Sequence, residues 1–420
     1  MTQVSDPGAG DLSLEEIAGR HADAKTSDIF ARVSNFQLAK QAQAVGLYPF
    51  FQPIDVNEGN EAVVNGRRVL MLGSNNYLGL TRHPKVMAAA REALEHYGPS
   101  MTGSRLLNGT SPLHEELEEL IPVFLGHERA LVFSTGYLAN LGAISALVDR
   151  GCTAVVDKSD HASIYDGTAM ALGDTVRFRH NDPAHLDEVL ERLPDDTGRL
   201  VIIDGVYSMG GDIAPLPEIV EVCRRHETRL LVDDAHAIGA IGEGGRGTAS
   251  HFGLEDGGDL VIGTFSKTLS SVGGFVAGPA TVLEYVKHFG RPMIFTASLP
   301  PPSAAAALAA LRCMMEEPWR VERVKELGLR LRTGLRGMGF DIGQSETPIV
   351  PVRIGSEIKT AIFWKALLTR GVYTNAVITP AVPRGQATLR TSVVATHSDE
   401  QIDHALELFG ELGREHNVID

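Results

Sequence analysis

One lysine lies among hydroxyl and glycine residues in the segment VIGTFSKTLSSVGGFVAG, which runs from Val261 to Gly278. A lysine is ordinarily a surface cation, yet Lys267 follows a short β-prone run and precedes a patch of serine and glycine. Three interpretations compete, namely a phosphate-binding loop, a Schiff-base lysine and an exposed charge. A Walker A loop requires glycine directly before its lysine, and Ser266 holds that place, so the nucleotide-loop interpretation fails.

A Schiff-base lysine needs a pocket in which desolvation or a neighbouring cation lowers its pKa. If pyridoxal phosphate is the electron sink, the pocket also needs a carboxylate for the ring nitrogen, a planar group against the ring and donors around the phosphate. The segment LLVDDAHAIG offers Asp233 at a strand end with His236 three residues later, and KSDHASIYDG offers His161. The candidate phosphate donors surround the start of a predicted helix and the lysine itself, and they are Gly136, Tyr137, Thr264 and Ser266.

Each of these residues also has an ordinary structural explanation. A lone histidine such as His161 is usually structural or solvent-facing, and Asp233 could cap a helix. Asp233, Asp234 and His236 could together bind a metal, but no further ligand lies at helical spacing, so we expect no metal site. The segment GVYSMGG has a serine near glycines but does not match G-x-S-x-G, which disfavours a hydrolase.

The residues around these candidates alternate between short apolar runs and helical patterns, which is typical of an α/β domain with a mostly parallel sheet. Strands are predicted at 129–134, 153–157, 199–204, 229–234, 259–265 and 273–278. Five of these six runs end on polar or glycine-rich turns, which are Ser134–Gly136, Asp157, Asp204, Asp233 and Thr264–Lys267. Because open α/β sheets bind ligands at the carboxyl ends of their strands, we expect a pocket there.

The remaining segments predict an N-terminal arm and a smaller C-terminal domain. Residues 1–12 are predicted to be disordered, residues 13–45 to form one or two amphipathic helices, and EAVVNGRRVLML to form a β-hairpin around Asn65-Gly66. After FTASLPPPS we expect a long helix at about 303–338, a strand near IVPVRI, a helix at about 357–370 and a strand near ATLRTSVV. The predicted domains are residues 1–60, 61–300 and 301–420.

Composition narrows the class of partners and the compartment. The formal charge of −15 argues against a broad nucleic-acid-binding face and against binding to an anionic membrane. The three cysteines are far apart, so we expect neither disulfides nor a zinc knuckle, and a reducing cytoplasm fits best. The N-terminus lacks the apolar segment of a secretory signal, and SAAAALAALRCMM is too short to span a bilayer.

From about residue 45 to residue 410 the chain resembles the α-oxoamine synthase family of fold-type I pyridoxal-phosphate enzymes. The matching segments occur in the same order and are SNNYLGLTRHP, GSRLLNGTSPLHEELEE, FSTGYLANLG, DHASIYDG, GVYSMGGDIAPL, VDDAHAIGAIGEGGRG, GTFSKTLSSVGGFVAG and FTASLPP. HASIYDG, VRFRHN, GVYSM and RPMIFTASLPP resemble the bacterial serine palmitoyltransferase branch most. The resemblance implies an aspartate aminotransferase-like fold with a large, mostly parallel-sheet domain and a smaller C-terminal α+β domain.

The resemblance implies a role around the cofactor ring for five residues. Lys267 would carry pyridoxal 5'-phosphate as a Schiff base and act as the base once it is released, and Asp233 would pair with the pyridine nitrogen. His161 would stack on the ring and could also hydrogen-bond the substrate carboxylate. His236 would bond the phenolic oxygen, with Ser208 close by.

Other matched positions are implied to bind the phosphate and the substrate. Within one subunit the phosphate would be held by Gly136, Tyr137, Thr264 and Ser266. Thr296 and Ala297 would reach the phosphate of the neighbouring subunit's cofactor, which implies an obligate homodimer with the site at its interface. Asn76 and Tyr77 would line the substrate side, and Arg390 would grip the carboxylate of the amino acid.

The implied reaction is a decarboxylating Claisen-type condensation of a small amino acid with an acyl thioester, which yields an α-amino ketone, carbon dioxide and a free thiol. Serine, alanine and glycine stay open as substrates, because residues 376–378 are Ala-Val-Ile where the serine branch has an arginine, and VPRGQATLR resembles the glycine-using 2-amino-3-ketobutyrate ligase. Coenzyme A and an acyl carrier protein both stay open as donors. The alternatives are a glycine C-acetyltransferase or 8-amino-7-oxononanoate synthase-like member, an aminotransferase or aldolase on the same fold, and a non-catalytic partner subunit.

Overall fold

The computed structural model describes residues 27–31, 38–255, 257–379 and 381–420. The predicted disorder at residues 1–12 and much of the predicted N-terminal helical segment lie outside the described residues. Within them, the segment contributes one short helix, α1 (Leu38–Ala44). The strands β1 (Val56–Asn57), β2 (Glu61–Val64) and β3 (Arg67–Met71) follow.

The hairpin predicted around Asn65-Gly66 is confirmed, since β2 and β3 pair antiparallel on either side of that turn. Asn65 has φ of 50° and Gly66 has φ of 72°. Two consecutive positive φ angles define the type I′ turn, whose twist matches that of the flanking strands, and Asn-Gly accepts this geometry with little strain. The turn is therefore determined locally by these two residues.

A seven-stranded sheet forms the centre of the large domain. Its strands are β4 (Arg129–Phe133), β5 (Cys152–Asp157), β6 (Asp174–Phe178), β7 (Gly198–Asp204), β8 (Arg229–Asp233), β9 (Leu260–Thr264) and β10 (Gly274–Gly278). Their spatial order is β4-β10-β9-β8-β7-β5-β6, with β10 antiparallel to both neighbours and the other pairs parallel. The predicted α/β class and all six predicted strands are confirmed. The prediction missed β6, an edge strand that is exposed at three of its five residues.

Helices cover both faces of this sheet, as a mostly parallel sheet requires. They are α2 (Pro84–Tyr97), α3 (Pro112–Leu125), α4 (Gly136–Leu147), α5 (Ala162–Met170), α6 (Pro183–Glu191), α7 (Leu216–Arg225), α8 (Thr248–His251), α9 (Ala280–Phe289) and α10 (Arg291–Phe295). Most important for the site is α4, which begins directly after β4 and is apolar on nearly every side. It is buried between the sheet and its neighbours α5, α9 and α10.

The C-terminal segment builds the smaller α+β part. Its elements are α11 (Pro301–Glu316), α12 (Trp319–Gly337), β11 (Ile349–Gly355), α13 (Glu357–Thr369), β12 (Val372–Tyr373), β13 (Asn375–Val377), β14 (Ala387–Ser392) and α14 (Asp399–Glu415). The strands β11, β14 and β13 form an antiparallel sheet. The prediction of one long helix at about 303–338 is wrong, because the helix is interrupted at residues 317–318 and two separate helices form. Pro318 has no N–H to continue the first helix and instead precedes the second.

Two contacts join the terminal segments to the rest of the chain. The strand β12 pairs in parallel with β3, so the hairpin predicted in the large domain shares a sheet with the C-terminal segment. The alanine-rich α11 packs along α2, where small side chains allow close approach. The predicted boundaries at residues 60 and 300 stay a prediction. None of the helices in the described ranges combines the length and apolar character that a membrane crossing requires.

Candidate active site

A cavity of about 270 Å³ lies at the carboxyl ends of the central strands, where the polar strand ends predicted a pocket. Lys267 and Asp233 both line it, together with His161 and His236. The rest of the lining is Thr135, Gly136, Tyr137, Asn140, Ser163, Asp204, Val206, Ala235, Ile262, Thr264, Ser266, Val272 and Gly273. A larger hollow of about 730 Å³ lies between α3, β4 and α9, and none of the predicted site residues lines it.

Lys267 lies in the loop between β9 and β10 and has a lowered pKa of about 8. Loss of hydration is the main cause, because the surrounding protein cannot replace the water that stabilises an ammonium group. The negative charges of Asp233 and Asp204 oppose this effect, and the positive charge of Arg390 adds to it. Among the described residues no hydrogen bond or ion pair engages the amine. Lys267 can therefore be a neutral nucleophile or base close to physiological pH.

A continuous hydrogen-bond chain joins Asp233 to His161. Asn140 Nδ2 lies 2.6 Å from Asp233 Oδ2 and 2.9 Å from Ser163 Oγ. Ser163 Oγ lies 2.7 Å from His161 Nδ1, and the Ser163 N–H also points at that nitrogen, 3.3 Å away. The second oxygen of Asp233 accepts the N–H of Ala235 at 3.0 Å. One hydrogen-bond network therefore holds both Asp233 and His161, which line the same cavity.

The pKa of His161 is lowered, mainly because the packed surroundings remove hydration from its ring. The charge of Asp233 opposes this shift, and the charge of Lys267 reinforces it. His161 itself is the residue that precedes the first turn of α5 and caps it through Nδ1. Tyr137 contacts the same ring edge-on, with ring centroids 6.3 Å apart, and its hydroxyl donates to Asp166. The imidazole is therefore neutral at physiological pH and fixed on two sides.

His236 belongs to a second hydrogen-bond network, which also contains Tyr77 and Arg390. Its Nδ1 lies 2.7 Å from the hydroxyl of Tyr77, and burial lowers the pKa of His236 well below its usual value, with Lys267 and Arg390 adding to the shift. Arg390 donates from Nη2 to the Tyr77 hydroxyl at 3.4 Å and from Nε to the carbonyl of Ser208 at 2.6 Å. Ser208 joins this network through its backbone carbonyl and not through its hydroxyl.

The N-terminus of α4 opens into the cavity. Thr135 caps it by accepting the N–H of Leu138 at 3.1 Å, while within the described part of the chain the N–H groups of Gly136 and Tyr137 have no acceptor. A Cβ on Gly136 would lie 2.8 Å from Thr264 Cβ, so glycine is required for this close approach. Thr264 Oγ1 lies 2.8 Å from Ser266 Oγ. Free amides, a helix N-terminus and two hydroxyls form a cradle for an anionic group.

Three polar residues of the cavity were missed as site residues by sequence reasoning, although Asp204 was noted as a strand end. Asn140 is a polar residue in the mostly apolar helix α4, and that local contrast was the available signal, whereas Ser163 lies in α5 among other polar residues and gave no such signal. Asp204 is buried, and its pKa is raised well above the usual range by burial and then by the charge of Asp233.

Other predicted residues lie outside the cavity lining. Asp157 instead accepts hydrogen bonds from the backbone of Ser159 and Asn181 and contacts His180. Asn76 binds Thr81 and accepts from the backbone of its own loop, so a structural role explains it and substrate contact stays a prediction.

Thr296 and Ala297 follow α10 on a segment that is held near the end of β4, since the Ala297 carbonyl accepts the hydroxyl of Ser134. Neither residue lines the cavity of its own chain. This position is compatible with a role in a second subunit, and that role stays a prediction.

Comparison with known proteins gives consistent matches over most of the chain. The family model for class I and II aminotransferases matches residues 67–409. A serine palmitoyltransferase of Sphingobacterium spiritivorum is 45% identical over 376 residues, which cover 90% of this chain and 94% of that protein. An 8-amino-7-oxononanoate synthase of Thermoanaerobacter pseudethanolicus is 39% identical over 381 residues, which cover 90% of this chain and 96% of that protein. A solved structure of SPT with PLP internal aldimine superposes with a TM-score of 0.91 at 41% identity, covering 93% of this chain and all of that one.

Proposed function

The chain belongs to the aminotransferase class I and II family, and we propose that it is a pyridoxal-phosphate-dependent acyltransferase that condenses a small amino acid with an acyl thioester and releases carbon dioxide. The product is an α-amino ketone, as expected of a serine palmitoyltransferase-like α-oxoamine synthase. The observation that carries this proposal is the placement of Lys267 and Asp233 in one cavity, since these residues must contact opposite ends of one cofactor ring.

The residues present fit pyridoxal phosphate. The unpaired N–H groups of Gly136 and Tyr137 and the hydroxyls of Thr264 and Ser266 would hold the phosphate. Asp233 would hold the ring nitrogen, and His161 would cover one face of the ring. When bound, the cofactor draws electrons away from the α-carbon of an attached amino acid and so allows a carbanion to form there.

The protein's own groups position the charges and protons of this reaction. Asp233 lies at the end of β8, where its two carboxyl oxygens accept hydrogen bonds from the side-chain amide of Asn140 and the backbone N–H of Ala235. Lys267, with a pKa of about 8, can accept a proton at Nζ and return it later in the reaction. The neutral rings of His161 and His236 offer hydrogen bonds without adding positive charge to the cavity.

We propose L-serine as the amino acid and a long-chain acyl thioester as the donor, because relatives named serine palmitoyltransferase reach 45% identity. Arg390 would bind the substrate carboxylate, since its buried guanidinium lies next to Tyr77 and His236 at the edge of the site. The match to an 8-amino-7-oxononanoate synthase at 39% identity supports the alternative of a member that uses another amino acid or an acyl-carrier-protein donor.

The proposal includes a homodimer in the cytoplasm. Large apolar side chains stay exposed near the segment of Thr296 and Ala297: Phe295 directly precedes the segment and is 74% exposed, and Leu107, which is 78% exposed, follows Ser104, the residue that pairs with Ala297. Exposed apolar patches of this kind are typical of protein interfaces. A second subunit would bury them and bring its Thr296 towards this cavity. Cys152, Cys223 and Cys313 are free thiols, which fits a reducing compartment.

The test is thiol release by the purified protein with pyridoxal phosphate. Serine, alanine and glycine are each supplied with short, dicarboxylic and long acyl-coenzyme A thioesters. We expect release only when amino acid and thioester are both present, and most with serine and a long chain. Lys267→Ala is the control and should eliminate the lysine-bound cofactor's visible absorption. Turnover of amino acid without thiol release would instead indicate an aminotransferase or aldolase.

A further inference from the structure

The hydrogen-bond chain from Asp233 to His161 has a direction that follows from the chemistry of its groups. An ionised carboxylate only accepts hydrogen bonds, so Asn140 must present its NH₂ group, and not its carbonyl oxygen, to Asp233 Oδ2 at 2.6 Å. With the amide flipped, two acceptor oxygens would face each other at that distance. The carbonyl oxygen Oδ1 of Asn140 then has no partner among the described residues, although Asn140 is 1% exposed.

The orientation of Asn140 determines the next two links. The second hydrogen of the same NH₂ group points to Ser163 Oγ, which lies 2.9 Å away and therefore accepts. The hydroxyl hydrogen of Ser163 is then free to be donated to His161 Nδ1 at 2.7 Å. The Ser163 N–H points to the same nitrogen. A ring nitrogen that accepts from two donors cannot carry a proton itself, so the proton of the neutral imidazole lies on Nε2.

We propose that Asn140 and Ser163 are positioning residues that hold His161 in its Nε2–H tautomer and couple the orientation of its ring to that of Asp233. His161 is then a hydrogen-bond donor, and not a base, towards the contents of the cavity. This assignment extends the proposed function, since a donor at this place suits a substrate carboxylate or a thioester carbonyl. The lowered pKa of His161 agrees with it, because the neutral ring is the form that accepts at Nδ1.

The direct test is ¹⁵N-histidine NMR of the full-length protein, with and without pyridoxal phosphate. The resonances of His161 are identified by their loss in His161→Gln. We expect a protonated Nε2 in the unaltered protein and a mixture of tautomers in Ser163→Ala, which lacks the hydroxyl donor. Ser163→Thr retains the hydroxyl and should retain the Nε2–H form. Thr168→Val is the matched control, because it removes a hydroxyl from the same helix, and among the described residues that hydroxyl donates to the carbonyl of Tyr165 alone.

A second measurement tests the link to Asp233. Asn140→Ala removes a hydrogen bond to a buried charged group, so the affinity for pyridoxal phosphate should fall on the order of ten- to hundredfold relative to Thr168→Val. A proton on Nδ1 of His161 in the unaltered protein would overturn the tautomer assignment. An unchanged tautomer in Ser163→Ala would overturn the positioning role of the Ser163 hydroxyl, because that variant keeps only the backbone N–H as a donor to Nδ1. An unchanged cofactor affinity in Asn140→Ala would overturn the coupling to Asp233. The tautomer in the cofactor-free protein is measured whether or not thiol release occurs, so failure of the proposed function is a separate result.

Discussion

Replacing Lys267 by methionine should stabilise the cofactor-free protein at neutral pH. The pKa of this lysine falls from 10.5 to about 8 on folding, so the folded state disfavours the charged amine. Each pKa unit corresponds to about 1.4 kcal/mol, and the charged amine therefore destabilises the folded state by about 3 kcal/mol below pH 8. Methionine has a similar unbranched shape and no charge, so its substitution removes this penalty.

The increase in the free energy of unfolding that Lys267→Met brings should become smaller as pH rises. Between pH 8 and pH 10.5 the unfolded chain binds the proton of Lys267 more fully than the folded chain does, so the stability of the unaltered protein rises with pH in this window. The advantage of Lys267→Met should then shrink from about 3 kcal/mol at pH 7 to about 1 kcal/mol or less at pH 10.

The assay is urea unfolding of both cofactor-free proteins at pH 7 and pH 10, at one protein concentration. Lys359→Met replaces a solvent-exposed lysine on α13 and serves as the control, for which we expect little change at either pH. The assignment of a desolvated amine would be refuted by a Lys267→Met variant that is less stable than the unaltered protein at pH 7. It would also be refuted if the free energy of unfolding increased equally at both pH values.

Three further predictions concern the cavity. Gly136→Ala should weaken pyridoxal phosphate binding at least tenfold, measured by equilibrium titration, because the new Cβ would lie 2.8 Å from Thr264 Cβ; unchanged affinity would contradict the close approach. Asp233→Asn should retain the lysine-bound cofactor's absorption but slow exchange of the α-proton of serine at least a hundredfold by NMR in deuterated water, since an amide cannot keep the ring nitrogen protonated; normal exchange would exclude this role. Arg390→Lys should raise KM for serine about tenfold or more with a smaller effect on kcat, because lysine cannot replace the planar guanidinium; a change in kcat alone would place Arg390 outside substrate binding.

Local patterns were enough to predict the central strands and the hairpin. Runs such as RLVIID and RLLVDD are apolar because their strands are buried on both faces, and Asn65-Gly66 accepts positive φ angles without help from distant residues. The position of Asp233 at the end of a strand and of Lys267 in the turn after another also predicted that both would lie at the same edge of the sheet, and both line one cavity there; their roles stay a prediction. Local patterns failed for the edge strand β6 and for the break at Pro318 within an otherwise continuous helical pattern.

The sequence by itself therefore determined the class of fold, the elements of the large sheet and the end of the sheet at which a cavity had to lie. Only the tertiary structure brought Asn140 of α4, Ser163 of α5 and Asp233 of β8 into one hydrogen-bond chain, because residues 23 to 93 positions apart come together only when the helices pack on the sheet. The same packing removes water from Lys267 and lowers its pKa, and no local pattern of residues encodes that desolvation.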